Sequence, residues 1–555
     1  MIGIAANPSD RAVIREFFEL FKTPWEFYEL GRNYDALLCV GNQEYDSRDA
    51  KVVLLYSSSD LLSDTDNQIE IAGRYEGRLL SFQKTKLPIY GQCLVFANEQ
   101  STSCLLDHAT GKAAYCSYTA QYGAVLRIGY DLCAEIRSLL NEGQPVEYAE
   151  IPTLEVHIAL LRDLIVSEGV TLVEIPPVPD GFRFIVCLTH DVDHASIRKH
   201  ICDRTMLGFL YRAILGSLIS FLRGSIPPRD LWTNWATALR LPFVYLGLAK
   251  DFWQDFVARY QSLEKGIPST YFVIPFANRP GRDAHGPAPA YRAARYGAED
   301  ISGLIADAMA NGCEVGLHGI DAWADCAIGR EELEKIRQIS GCAEIGSRMH
   351  WLYFDESAPL TLERAGIDYD STIGYRETVG FRAGTTQAYK PFQAKRLLEL
   401  PLHAMDTALF YPSYLGLTSD NATKVLDRLT DQVERFGGCL VINWHDRSLA
   451  PERLWYACYG RLLNELKARG TWFATAGQAT AWFRQRRSAV FGPTGTVQEL
   501  SLTKGTGGGD GNRLPGLCLR THERQIQPDL SSTLSFVDAP LSPVSGVQMS
   551  HARGE

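Results

Sequence analysis

The run FIVCLTHDVDH, residues 184–194, closes an apolar, strand-like stretch with two histidines and two aspartates. Ionisable groups at the end of a buried strand are costly unless a metal, a proton-transfer task or an opening to solvent accounts for them. The pattern recurs downstream. Eight of the twelve histidines fall between 190 and 445, and His190, His194, His318, His350, His403 and His445 each stand near the end of a short apolar run. Neutral imidazoles with a carboxylate are a usual donor mix for zinc or a similar divalent ion. Two carboxylates two residues apart beside one cation take different protonation roles when only one of them is bound to it.

The elements that position these residues follow from the apolar runs FRFIVCLTHD, STYFVIP, CEVGLHG, SRMHWLYF, DYDSTIGY, LLELPLHAMD, GCLVINWHD and TWFATAG, which alternate with helical stretches. Such a series predicts an α/β fold, a distorted barrel of seven or eight βα repeats over residues 180–485. Strand ends of one barrel converge on one mouth, which places Asp191, Asp193, His318, His350, Arg382 and His445 in a single site. Upstream, residues 1–175 predict a smaller α/β domain: a strand at Ile2–Ala5, a helix at AVIREFFELF, strands at YDALLCV and KVVLLYSS, an alternating run after the turn DHATGK, and two helices. The proline-rich IPPVPDG, residues 175–181, marks the boundary. Cys93 in GQCLVF lacks a glycine elbow and is expected to be a buried structural thiol. Residues 486–555, with KGTGGGDGN and a Ser/Pro-rich end, predict a largely disordered, flexible tail with a short strand at LPGLCLRTH.

The pieces THDVD, STYFVIP, EVGLHG, GFRAGT, LELPLH and LVINWHD together resemble the polysaccharide deacetylase family, the NodB-homology fold of metal-dependent sugar N-deacetylases. The likeness extends over roughly residues 180–485, in a form with a DVD first motif and an additional amino-terminal domain. It implies Asp191 as general base, Asp193 and His318 as metal ligands, Arg382 as the arginine that orients the base, and His445 as general acid with Asp446 as its neighbour. Where many members carry another histidine four residues after the first, this chain has Ala322. The third ligand is then His350, as the R-x-H segment of DVD-type members suggests, or Asp321; His350 is the ligand carried forward. Arg348 would position His350 or meet a substrate carboxylate. His190, His194 and His403 are expected to be structural or supporting. The implied activity is hydrolysis of N-acetyl groups on an amino sugar of a cell-envelope polysaccharide or its lipid-linked precursor, with one divalent ion, Zn2+, as cofactor. A same-fold amidohydrolase on a non-sugar amide or imide, and an inactive glycan-binding protein, are the rival readings. Tyr271, Phe272, Trp323, Trp351, Tyr353 and Tyr375 supply aromatic faces for a sugar or for the core.

A net charge of −10 argues against a general nucleic-acid binder, and 46% hydrophobic with 22% charged residues is an ordinary soluble composition. Thirteen scattered cysteines without a CxxC pair, and a start without a basic, signal-like region, suggest a cytoplasmic protein, peripheral at the inner membrane face. The membrane enters through residues 195–250, which carry eight basic and two acidic residues around MLGFLYRAILGSLISFLR. That run fits a helix lying in the interface with its arginines toward anionic headgroups, or one buried against the first domain. A peripheral contact with an anionic membrane is the expectation.

Overall fold

The structure, a computed structural model, describes residues 1–97, 105–453, 455–492, 497–499, 514–524 and 534–540. The chain forms two compact units, one of Met1–Arg137, Val156–Gly181 and Ala481–Glu555, the other of Ser138–Glu155 and Phe182–Thr480.

In the first unit a six-stranded sheet is built from Trp25–Phe27, Ile2–Ala5, Tyr34–Val40, Ala50–Tyr56, Gly123–Ile128 and Tyr115–Ala120, in that order, parallel except for the last pair. Tyr34–Val40 and Ala50–Tyr56 are almost wholly buried, which suits continuous apolar runs in a parallel sheet. The unit also holds a long hairpin that the sequence reading lacks, Ile71–Phe82 with Thr85–Phe96. Gln83 and Lys84 make its two-residue turn at positive φ, 45° and 67°, without the glycine or asparagine that usually signals such a turn. Cys93 is fully buried in it, and burial pushes its thiol up to about 12. Cys518–Arg524 forms the short strand expected in the tail and pairs antiparallel with Leu172–Glu174. Most of the expected disordered tail lies outside the described residues.

The second unit is organised by a nine-stranded parallel sheet. Its order is Leu398–Glu399, Tyr369–Asp370, Ser347–Met349, Glu314–Gly319, Thr270–Val273, Ile185–Val192, Cys439–Asn443 and Ala404–Met405, with Trp472–Phe473 also beside Ile185–Val192. All eight apolar runs become strands. LLELPLHAMD, however, divides into two short ones that stand at opposite ends of the sheet, so the curled sheet is open between them and residues 400–403 run across the gap. The strands alternate with helices such as Phe256–Glu264, Cys326–Ser340, Ser419–Phe436 and Tyr456–Ala468. Residues Ser138–Glu155 belong with this sheet rather than with the upstream domain. The Gln144 N–H donates to the Arg382 carbonyl, the Phe381 N–H donates to Ala149, and the buried Glu155 carboxylate accepts from Thr385 and Thr386.

Candidate metal and proton-transfer site

The two-residue period of a strand decides which side chains of THDVD share a face. Thr189 and Asp191 point one way and His190 the other. His190 is spent outside the site: its Nδ1 meets the Trp444 carbonyl at 2.8 Å, its Nε2 meets Glu264 at 2.9 Å, and the Tyr260 ring lies 3.7 Å away. Asp193 follows the end of the strand. It gathers with His318, at the end of Glu314–Gly319, and His350, just past Ser347–Met349, so that one ligating atom of each lies within 4.8 Å of the others. Asp193 Oδ1 is 3.3 Å from His318 Nε2 and 3.5 Å from His350 Nε2.

This donor set suits a divalent cation. His318 Nδ1 faces the Arg348 carbonyl at 2.9 Å, and a carbonyl only accepts, so in the neutral ring Nδ1 carries the proton and Nε2 presents a bare lone pair. Burial holds the His350 imidazole well below its ordinary pKa, hence neutral, despite the opposing Asp193 charge. Asp193 Oδ1 is buried without a hydrogen-bond donor. Burial pushes the Asp193 carboxyl up, but its contact with His318 and the nearby His445 outweigh it and hold it well below the usual carboxylate range. Two imidazole nitrogens and a carboxylate oxygen converging on one point form a donor set that suits a divalent ion. Their loops are tied from behind. Buried Arg292 donates to the carbonyls of Ile320 (3.1 Å) and His350 (2.6 Å), and the Glu332 carboxylate accepts the N–H groups of Ile320 and Asp321, each at 2.9 Å. Asp321, the alternative third ligand, is turned away: its Oδ1 accepts the Arg282 N–H at 2.9 Å.

Asp191 is gripped on both oxygens, by Arg348 Nη1 on Oδ1 at 3.0 Å and by Asn443 Nδ2 on Oδ2 at 2.8 Å. Here the sequence reading needs correction. Arg382 does not meet Asp191; its guanidinium donates to the Gly374 carbonyl at 2.9 Å and lies over the Phe354 ring. Arg348 takes the place at Asp191 because it sits in register with His318 on an adjoining strand and reaches across the inner face to both Thr189 (2.6 Å) and Asp191. Fully buried, with its remaining donors on Ser371, Arg348 is not available to a substrate carboxylate.

His445 Nε2 is 3.9 Å from Asp193 Oδ2, and its Nδ1 is 2.6 Å from Asp406 Oδ1. Asp406 Oδ2 also accepts the His445 backbone N–H at 2.7 Å and the Ser448 hydroxyl. Burial works against a charge on His445, but Asp406 prevails and raises its pKa to about 10. Asp446 is therefore not the orienting neighbour; it accepts the His194 N–H at 2.9 Å. His194 Nδ1 lies 3.2 Å from His200 Nε2 at the edge of the cavity. His403 is buried between the Thr385 carbonyl and the Val441 N–H, away from the cavity.

Asp191, Asp193, His318, His350 and His445 all open into one cavity of about 570 Å³. Of the six aromatic residues proposed from sequence, only Trp351 lines it; Tyr271, Phe272, Trp323 and Tyr375 are core side chains. Trp351 and Leu352 both adopt left-handed backbone, φ 66° and 53°, directly after His350, a strained conformation of the kind that clusters at functional sites. Tyr291, Tyr411 and Tyr414 complete the aromatic rim. Asp406, Asn443 and Arg292 are the supporting residues the sequence reading lacks. Asp406 and Asn443 do carry the signal used for the others, a polar residue at the end of an apolar run.

No family model matches the sequence, and no match is found among curated proteins. Among solved structures the chain is similar to a Mycobacterium smegmatis protein assigned as a polysaccharide deacetylase, at 18% identity and TM-score 0.35 over 56% of this chain and 94% of that one. It is similar to an allantoinase at 16% identity and TM-score 0.34 over 55% and 91%. It is also similar to the carbohydrate deacetylase Agd3, at 9% identity and TM-score 0.34 over 94% of this chain and 90% of that one.

Proposed function

We propose that the second unit is a metal-dependent hydrolase that removes N-acetyl groups from an amino sugar of a cell-envelope polysaccharide or its lipid-linked precursor. One observation carries the reading: a fixed carboxylate, Asp191, and an imidazole paired with a carboxylate, His445 with Asp406, flank the Asp193–His318–His350 group inside one cavity. Those three residues would hold one divalent ion, and two imidazoles with a carboxylate favour zinc. When bound, such an ion polarises an amide carbonyl and eases the deprotonation of water.

The chain's own groups supply the rest. Arg348 donates to one Asp191 oxygen and Asn443 to the other, and each oxygen keeps a lone pair, so the carboxylate accepts the proton of the attacking water without leaving either partner. Asp406 keeps His445 protonated, and His445 Nε2 gives that proton to the nitrogen as the carbon–nitrogen bond breaks, releasing acetate and a free amine. Trp351, Tyr291 and Tyr414 offer ring faces on which a sugar stacks. The test is acetate release from a panel of N-acetylated envelope sugars and non-sugar amides, with and without a chelator. Release from a sugar that stops with chelator and returns with zinc supports the reading. No release from any sugar by metal-loaded protein removes it.

A further inference from the structure

Between the first site strand and Thr270–Val273, a helical hairpin is built the wrong way round for water. Its first arm, Arg204–Leu222, contains a π-helical stretch at Tyr211–Gly216; its second is Pro228–Tyr245. One side of the pair packs on the unit through Phe209, Ala213, Leu241 and Val244 against Phe252 and Trp253. The polar residues also face inward: Arg212, Gly216 and Ser220 line a cavity of about 650 Å³ together with Asn234, Glu452 and Arg453. A second set of apolar residues faces outward. On the first arm Leu207, Tyr211, Leu215 and Leu222 are exposed, and on the second Trp232, Leu239, Phe243 and Leu246, with Leu222 at 74% and Leu239 at 71%. Only 17% of the apolar window of the first arm is buried. A helix packed on a soluble core normally shows the reverse arrangement.

Charge identifies what lies outside. Arg223, Arg229, Arg240 and Lys250 are exposed in the same segment, which has eight basic and two acidic residues within a chain of net charge −10. Of the two acids, Asp203 is taken by His200 and the Met206 N–H. Exposed apolar side chains together with exposed cations on one hairpin match the interface of an anionic bilayer, with acyl chains for the first and phosphate headgroups for the second. The first arm is 19 residues long with mean hydropathy 1.6, but its inner side is committed to the protein, leaving one face for lipid.

We propose that this hairpin docks the protein on an anionic phospholipid leaflet, lying in the interface without crossing it. The docking does not depend on the deacetylase reading. Arg204 begins the first arm and also lines the metal-site cavity, so docking brings that cavity to the headgroup layer. The test is sedimentation of the full chain with phosphatidylcholine vesicles, with and without phosphatidylglycerol, at low and high salt. The expected result is binding to the anionic vesicles alone, weakened by salt, with each of Arg223→Gln, Arg229→Gln and Arg240→Gln reducing affinity about fivefold. Leu215→Glu with Leu222→Glu, and Leu239→Glu with Phe243→Glu, abolish it while circular dichroism and thermal unfolding stay unchanged, because these side chains are exposed. Four results would overturn the proposal: no salt-sensitive binding, equal binding by the glutamate variants, retention in membranes after alkaline carbonate washing, or lipid-free self-association that the glutamate variants disperse. The last would make a second copy of the chain the occupant.

Discussion

Replacing Asp406 with asparagine removes the largest of the three carboxylate charges, with Asp193 and Asp191, that act on His445. The rise of His445 from an ordinary 6.5 to about 10 is worth about 5 kcal/mol in favour of the imidazolium, taking about 1.4 kcal/mol per pKa unit. Burial acts in the opposite direction, so without the Asp406 charge, and with only Asp193 and Asp191 left to favour the imidazolium, the ring's pKa falls well below about 10. Asparagine keeps the volume and its amide oxygen still accepts from Nδ1, but its NH2 group faces the His445 N–H that Asp406 Oδ2 accepted, a loss of about 1–3 kcal/mol. Two measurements follow. In metal-free protein, the ring-proton resonance of His445 titrates near pH 10 in the wild type and at clearly lower pH in Asp406→Asn. In metal-loaded protein, turnover at neutral pH falls about 100- to 10,000-fold, with partial recovery on acidification. A raised folded pKa stabilises the native state fully below 6.5 and loses that contribution as pH rises toward about 10. Alkaline unfolding therefore becomes shallower in the variant. If His445 still titrates near pH 10 in Asp406→Asn, Asp406 is not what charges it and the assignment of His445 as acid loses its basis.

Elemental analysis should find one divalent ion in the wild type and in Asp321→Ala, whose native carboxylate accepts from Arg282, and none in His318→Ala or His350→Ala. Asp191→Asn is expected to keep the metal and lose turnover by about 100-fold or more, because its carboxylate supports proton transfer without being one of the three ligands. Arg348→Lys is expected to reduce turnover and stability together, since one ammonium cannot serve Thr189, Asp191 and Ser371; Arg382→Lys leaves turnover within about twofold. His403 is buried and held neutral, its pKa lowered to about 4 from 6.5, so the unfolded chain takes its proton first and stability falls as pH drops through that window. Urea midpoints at neutral and acidic pH should show a contribution approaching about 1.4 kcal/mol per pH unit from this ring, absent in His403→Gln.

The strands of the second unit were legible because each is a short, doubly buried apolar run ending on a polar residue, and a parallel sheet needs little else to declare itself. The same local signal located Asp191, Asp193, His318, His350 and His445. What it could not supply was partnership. Arg348 and Arg382 are both arginines close to strand ends, and the choice between them turns on register: Arg348 stands beside His318 on the adjoining strand, whereas Arg382 lies in a loop held by Gln144 and Ala149. Asp406 and Asp446 pose the same problem for His445. The nearer neighbour in sequence is turned to the His194 N–H, while the partner comes from the end of the adjoining strand, after LLELPLHAMD splits and carries the chain across the open gap. Residues 400–403 thus do more than join two strands. Ala404–Met405, which pairs with the strand that precedes His445, leads straight into Asp406, so the crossing that leaves the sheet open also delivers the carboxylate that charges the imidazole.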